Sequence, residues 1–394
     1  MKRFVMAAAV IENILYFSDR FSNGLYQLDL DNGECTFIDY FYDEEEKAWL
    51  YFQAYIWGKK IYFIPYLAEN IACFDIKSQE ITYIELPKEG TVIHGVDGIF
   101  AEKFCCQKNE NILWMMPVGY NLFLKLDLSN GQLSKVELPE CLVFTEGILN
   151  WRTSSLYGTE MIFQPWAGTI QVRYDIVSGI FRLEELEGGT RRFRSCLKYR
   201  DYEIYVPWKL KNGLLINNVV YKKREILSFK FNVMNDTCAV SFLNENKIYL
   251  IPQIGQTIIV VNITDFSMEY IDLNEIFNRS ETSWEWLDMI KEEHSYYVFS
   301  NAISDILAID RLNGNIKLIK VGKESDKSKN RRFRRCIENM NQKAFQEKRE
   351  WILVDEKDGL EQLIVQAERY SKDRRTEFCS CGKRIYEKLK GELS

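Results

Sequence analysis

Five aromatic side chains stand at one recurring kind of place in this chain, just after an apolar run ends. They are Phe21 in "SDRFSNG", Tyr66 in "PYLAEN", Tyr120 in "PVGYN", Trp166 in "PWAG" and Trp208 in "PWKLKNG". Gathered on one surface, such rings stack on sugar faces or clamp a peptide. The competing reading is that each ring packs beside its neighbouring proline or serine and closes the core. His94 in "TVIHGVDG" has Asp97 three residues on, and a positioned imidazole is a candidate general base. A single loop histidine is far more often an ordinary surface residue. Charged stretches nearby hold Glu44, Glu45 and Glu46 in "FYDEEEKAWL" and Arg191, Arg192 and Arg194 in "EGGTRRFRS". Trp, Tyr, Glu and Arg on one face suit a carbohydrate or a peptide; a solvated charged rim has the same composition. Two carboxylates across a glycosidic bond would hydrolyse it, but chain order does not say which two converge.

The chain has two histidines, His94 and His294, and a C-x-C pair, Cys379 and Cys381. Structural zinc usually takes four ligands, so no metal site is expected. There is no phosphate-binding or dinucleotide-binding glycine loop and no nucleophile elbow. No cofactor is expected.

What must position these residues is a repeat. "IYFIPYLAENIACFDI" begins at Ile61 and "LWMMPVGYNLFLKLDL" at Leu113. Aligned on the residue that ends the first run, the chain holds seven copies, anchored at Ser18, Pro65, Pro117, Pro165, Pro207, Pro252 and Ser300. Successive anchors lie 42 to 52 residues apart. Ten residues after the last six anchors come Asp75, Asp127, Asp175, Asn217, Asn262 and Asp310, and Asp29 follows Ser18 by eleven. Each copy reads as four short apolar or alternating runs joined by Gly, Asn, Ser and Lys turns, which predicts four strands. A helical period of 3.6 is missing, so helical solenoids are excluded. A single four-stranded sheet cannot bury both faces; seven stacked around an axis can. The expected fold is all-β, a seven-bladed propeller, with six blades as the alternative because "RRFRSCLKYRDYEIYVPW" is the least regular copy. The Asp or Asn before each turn is expected to cap it.

The pattern resembles the Kelch-like and WD-like β-propellers of bacteria over roughly Lys2 to Val321. The Kelch double glycine, the WD dipeptide and the sialidase Asp-box are absent, so the resemblance implies architecture and no named enzymatic family. Closure is expected by packing between the first and seventh blades, with no exchanged strand.

Composition fits this reading. The chain has 394 residues, 46% hydrophobic, 27% charged and 14% aromatic, with net charge −6. The acidic balance argues against a dedicated nucleic-acid role. The opening "MKRFVMAAAV" mimics a secretion signal, but only Phe4, Val5 and Met6 precede Ala7; a signal core takes about 7–15 apolar residues. Several of the ten cysteines sit inside apolar runs, as reduced, buried thiols do. A cytoplasmic protein with no transmembrane segment is expected.

Three parts are predicted: a propeller over 1–322, a basic linker over 323–335 and a helical extension over 336–394. In the extension, Leu360, Leu363, Ile364 and Ala367 follow helical spacing, a face for the propeller side or a partner. The function expected is that of a non-catalytic binding or scaffolding propeller, offering its aromatic loop face to a protein or glycan. The alternative is a carbohydrate-active enzyme, glycosidase- or lyase-like, using carboxylates at the central opening.

Overall fold

The computed structural model describes residues 5–20, 22–42, 44, 49–90, 103–139, 151–165, 170–185, 193–229, 237–277, 286–300, 305–322 and 324–346. Two compact units divide the chain, Met1–Ser325 and Asp326–Ser394.

The first unit is a seven-bladed β-propeller. Its seven four-stranded sheets span 5–40, 51–85, 104–136, 151–185, 193–227, 238–272 and 286–320, numbered here blades 1 to 7. Strands follow one another in chain order within every sheet, and all neighbours are antiparallel. The second strands are continuous apolar runs because both their faces are covered: Ile61 to Pro65 and Ile248 to Pro252 are fully buried. Fourth strands alternate, since they form the wetter outer edge; Glu80–Glu85 is an example. The six-blade alternative does not hold, because the irregular copy forms a complete blade 5.

Antiparallel order puts the connections between second and third strands on the same face as the blade-to-blade connections. We call this the loop face. The opposite, turn face carries the short hairpins. There the recurrent acidic residue caps its turn as expected: Asp75 accepts the backbone N–H of Lys77 and Ser78 at 2.9 and 3.1 Å, and Asp310 those of Leu312 and Asn313 at 2.8 and 3.1 Å. Blade 5 departs from the repeat. A 3-10 turn at Leu210–Asn212 lengthens its loop by one residue, so Asn218 rather than Asn217 caps the turn.

Packing between blades supplies the core. Blades 6 and 7 enclose Phe242 between the rings of Tyr249 and Tyr296, with centroids 4.9 and 4.1 Å away. Blades 1 and 7 share Phe17, Tyr26 and Phe37 with Phe299, Ile306 and Ile319. That apolar seam closes the ring without an exchanged strand. Its outer end is locked by the backbone: the Gly322 N–H donates to the Gly33 carbonyl at 2.7 Å. Gly33 has φ +74, and a Cβ there would meet the Lys320 carbonyl oxygen at 2.2 Å, so only glycine allows this approach.

Blades 4 and 5 meet differently. Their apolar cluster is small, built on Ile162, Phe193, Cys196, Tyr205 and Leu215. Beside it lies a polar network. Arg173 donates to Glu160 at 2.9 Å, to Glu184 at 2.6 Å and across the seam to Glu203 at 2.8 Å. Tyr205 and Asn217 donate to Glu203 at 3.0 and 3.2 Å. Burial works against the Arg173 charge, yet these carboxylates hold its pKa above the ordinary value.

The second unit contains a helix, Asp326–Gln346. Most of the segment expected to be a basic linker lies in it. Lys and Arg are good helix formers. Asp326 in the first turn opposes the helix dipole and pairs with Lys329 at 2.7 Å. No helix among the described residues is long and apolar enough to cross a membrane. The amphipathic run at Leu360, Leu363, Ile364 and Ala367 and the pair Cys379 and Cys381 lie outside the described residues.

Candidate functional site

The innermost strands surround the central channel, and six of the seven carry a register irregularity near the loop face. It falls between Val5 and Ala8, Tyr51 and Gln53, Trp151 and Thr153, Phe193 and Ser195, Cys238 and Val240, and Trp286 and Asp288. Blade 3 alone pairs through, Phe104 to Asn109. A bulge sets two residues against one and re-aims side chains. In blades 2 and 5 the inserted residues are Phe52 and Arg194. In blade 1 the freed Ala7 N–H finds the Ser18 hydroxyl at 3.2 Å.

Phe52 belongs to a stack that runs from the loop face to the channel. The Arg20 guanidinium lies 3.5 Å from the Trp49 ring centroid. Trp49 is 5.9 Å from Tyr66, and Tyr66 is 6.2 Å from Phe52. Trp49 holds φ +63, a left-handed backbone that a bulky residue adopts only under constraint. The constraint is visible: its N–H donates to the Arg20 carbonyl at 2.9 Å, and its carbonyl accepts from Leu67 at 3.1 Å. Strained backbone of this kind concentrates at functional sites. On blade 5, Arg194 stands 5.6 Å from the Trp208 ring centroid.

Inside the channel, a cavity of about 570 Å³ opens beside blade 1. Ala8 and Ala9 are the reason: small side chains on that strand leave room that the larger inner residues of blades 2 and 7 do not fill. Phe52, Gln53, Tyr55 and Trp57 line one wall and Asp288 to Glu292 the other, with Lys108 and Phe299 completing it. Asp288 is enclosed by the protein yet keeps part of its surface on the channel. Burial raises its carboxyl pKa, opposed by the field of Arg194 and by the Met289 N–H at 2.8 Å. Burial lowers the ammonium pKa of Lys108; that of Lys291, which stays exposed to solvent, is lowered by partial burial and by the neighbouring Arg311 charge. Lys108 is held by the Ile56 carbonyl at 2.6 Å and lies 5.6 Å from the Trp57 ring. Tyr55 bridges to blade 3 through the Cys106 carbonyl at 3.0 Å. Among the described residues no three potential metal ligands converge.

The residues singled out in the sequence are distributed unevenly. Tyr66 and Trp208 lie half-buried on the loop face. Tyr120 is buried at 3% exposure against Phe104, 5.2 Å between rings, and its hydroxyl donates to the Pro87 carbonyl. Glu44 is also buried: it accepts the N–H groups of Glu69 and Asn70, both at 2.8 Å, and clasps the loop that carries Tyr66. Phe21, His94, Asp97, Trp166 and Arg192 lie outside the described residues. The sequence reading missed Trp49, Phe52, Asp288 and Lys291. A weak signal existed for Trp49, in the stretch "KAWLYF" directly before an inner strand. Asp288, in "EWLDMI", reads as an ordinary polar position of a half-buried strand.

No family model matches the chain, and no curated protein does. Solved structures do. Streptogramin B lyase superposes with a TM-score of 0.53 at 13% identity, covering 76% of this chain and 91% of its own. The extracellular domain of a putative hybrid two-component system of B. thetaiotaomicron gives 0.50 at 10% identity, covering 82% of this chain and 40% of that one. A chain of the mitotic checkpoint complex gives 0.50 at 9% identity, covering 81% and 87%. A lyase, an extracellular domain and a member of a multi-protein complex share this architecture, so the fold does not select a function. What the likeness shows is that this chain is built like the β-propellers of bacteria, at the level of architecture.

Proposed function

We propose that this protein is a non-catalytic binding propeller that holds a protein or glycan partner on its loop face, around the channel mouth. The observation that supports this most is the stack of Arg20, Trp49, Tyr66 and Phe52. It offers aromatic and cationic surface on a backbone fixed by hydrogen bonds, which suits both sugar faces and peptide side chains. Trp208 with Arg194 adds a second anchor across the mouth, and Phe21 and Trp166 belong to the same set of loops by sequence position. Burial of Cys73, Cys196 and Cys238 as free thiols favours a reducing compartment, the cytoplasm.

The test is a glycan array and an affinity capture with wild type, Trp49→Ala/Tyr66→Ala and Trp208→Ala. A specific glycan or protein held by wild type and lost with the double variant supports the reading. Equal capture by all three removes it.

The enzymatic alternative has one observation in its favour, the raised Asp288 carboxyl, since a general acid needs such a group. The other carboxylate lining the cavity is Glu292. Asp288 lies within the inner strand Trp286–Lys291 and Glu292 just past its end, at the turn face, whereas hydrolysis needs two carboxyl groups about 5–9.5 Å apart on either side of the bond.

A further inference from the structure

The hairpin joining third and fourth strands recurs on the turn face of all seven blades, and blade 5 departs from the pattern. The third residue after the cap is polar in the other six: Asn32, Ser78, Asn130, Ser178, Asp265 and Asn313. In blade 5 it is Tyr221, 79% exposed beside Val220 at 59%, with Val219 also exposed. The neighbouring hairpin on blade 4 adds exposed Val177 and Ile180. The cap itself is neutral: Asn218 stands where five blades have an aspartate. Cations surround the tip. Arg200, in the other hairpin of the same blade, is exposed, and so are Lys222 and Lys223. Lys223 pairs with Glu225, whereas Arg200 and Lys222 meet no carboxylate among the described residues. Asp201 is the one acidic residue in these two turns, on a chain whose net charge is −6.

A hairpin tip leaves water cheaply only when its backbone is already satisfied. This one is. The Val220 and Tyr221 N–H groups donate to the Asn218 side-chain oxygen at 3.1 and 3.0 Å, and that of Val219 to the Asp201 carbonyl at 2.8 Å. We propose that the blade 5 hairpin is a contact for an anionic lipid surface. Val220 and Tyr221 enter the interface, and Arg200, Lys222 and Lys223 lie among the headgroups. Tyrosine rings and the long stems of lysine and arginine take those places at a bilayer surface. A second copy of this chain fits less well. A two-fold contact would set Arg200 and Lys222 against themselves. The three side chains at the tip also fall far short of the roughly 800 Å² per partner that a stable interface buries. Leu312 is exposed at the blade 7 tip too, but Asp310, Glu292 and Glu293 outnumber Arg311 and Lys291 there. Contact through the turn face leaves the loop face pointing away from the lipid. The proposal goes beyond the binding reading and does not depend on the partner held there.

The experiment is co-sedimentation of the full chain with vesicles of phosphatidylcholine alone and of phosphatidylcholine with about 30% phosphatidylserine. The expected result is binding at least about tenfold tighter to the anionic vesicles, weakening as salt is raised. Lys222→Gln should weaken it about fivefold, the share of one cation near such a surface. Val220→Ser/Tyr221→Ser should weaken it about tenfold or more. Leu312→Ser should bind as wild type does. All these side chains are exposed, so the variants are expected to fold. No binding of wild type to the anionic vesicles at about 1 mM lipid overturns the proposal. So does binding that ignores phosphatidylserine, or that survives Val220→Ser/Tyr221→Ser. Self-association that this double variant abolishes, without vesicle binding, gives the tip to a second copy and overturns it equally.

Discussion

The seam between blades 4 and 5 and the seam between blades 6 and 7 do the same job by opposite means. At the second, Phe242, Tyr249, Tyr296 and Trp286 interlock as an apolar core. At the first, two arginines, Arg173 and Arg224, meet three carboxylates, Glu160, Glu184 and Glu203. The apolar seam takes its stability from area removed from water and tolerates small shifts. The polar seam returns little net stability, because desolvating the charges costs about as much as pairing them returns. It also leaves a defect: the Gln171 side-chain oxygen is buried without a partner. What the polar seam supplies is geometry. The Arg173 fork accepts one arrangement of blades 4 and 5, and a slipped register would strand a buried charge.

The sharpest way to break this contrast is Arg173→Met, which leaves three carboxylates together at the seam. We expect a loss of about 4–5 kcal/mol, read as a large fall in Tm by calorimetry. Adding Glu203→Gln should return about 1–3 kcal/mol, because the uncompensated buried charge is then gone. A mild Arg173→Met variant would show that the network is ornamental.

At the apolar seam, Phe242→Ala removes the ring between Tyr249 and Tyr296. Its expected cost is about 3–4 kcal/mol, with no neighbouring substitution able to restore it as cleanly. Comparing the Arg173→Met and Glu203→Gln series with Phe242→Ala by chemical unfolding separates charge compensation from cavity formation.

The smallest effect is in pH. Burial alone would raise the Glu203 carboxyl pKa, but Arg173, Tyr205 and Asn217 more than offset it and hold the group below the ordinary carboxylate range. A depressed carboxylate contributes stability above its unfolded pKa of about 4.3 and loses it as pH falls through the folded value. The Tm of wild type should therefore exceed that of Glu203→Gln at neutral pH and converge with it in acid. Parallel curves would mean that Glu203 does not titrate with folding. Phe242→Ala should show no such convergence.

The two seams were not equally visible beforehand. The aromatic and aliphatic runs that build the apolar one, "KIYLIP" and "TIIVVN", announce buried strands by composition. In the polar one, Arg173 in "IQVRYD" and Glu203 in "YEIYVP" look like the ordinary polar members of alternating strands. Thirty residues separate them, and only the stacking of neighbouring sheets makes them partners. The binding surface divides in the same way. Tyr66 and Trp208 could be picked out beside their prolines. Trp49 needed the left-handed turn that folds it over Arg20. Tyr120, similar to Tyr66 in the sequence, went into the core because Gly90 leaves the space its ring occupies.

By itself the sequence determined the four-strand order of each repeat, the capped turns and ring closure without an exchanged strand, and it narrowed the blades to seven or six. These follow from local signals repeated seven times: an apolar run, an anchor, an acidic turn. Tertiary structure alone decided which loop aromatics are exposed, where the inner-strand bulges place Phe52 and Arg194, and which charges meet. The physical reason is range. Strand and turn preferences act over a few residues, whereas a channel, a cavity and a buried ion pair exist only between blades that the chain brings together from far apart.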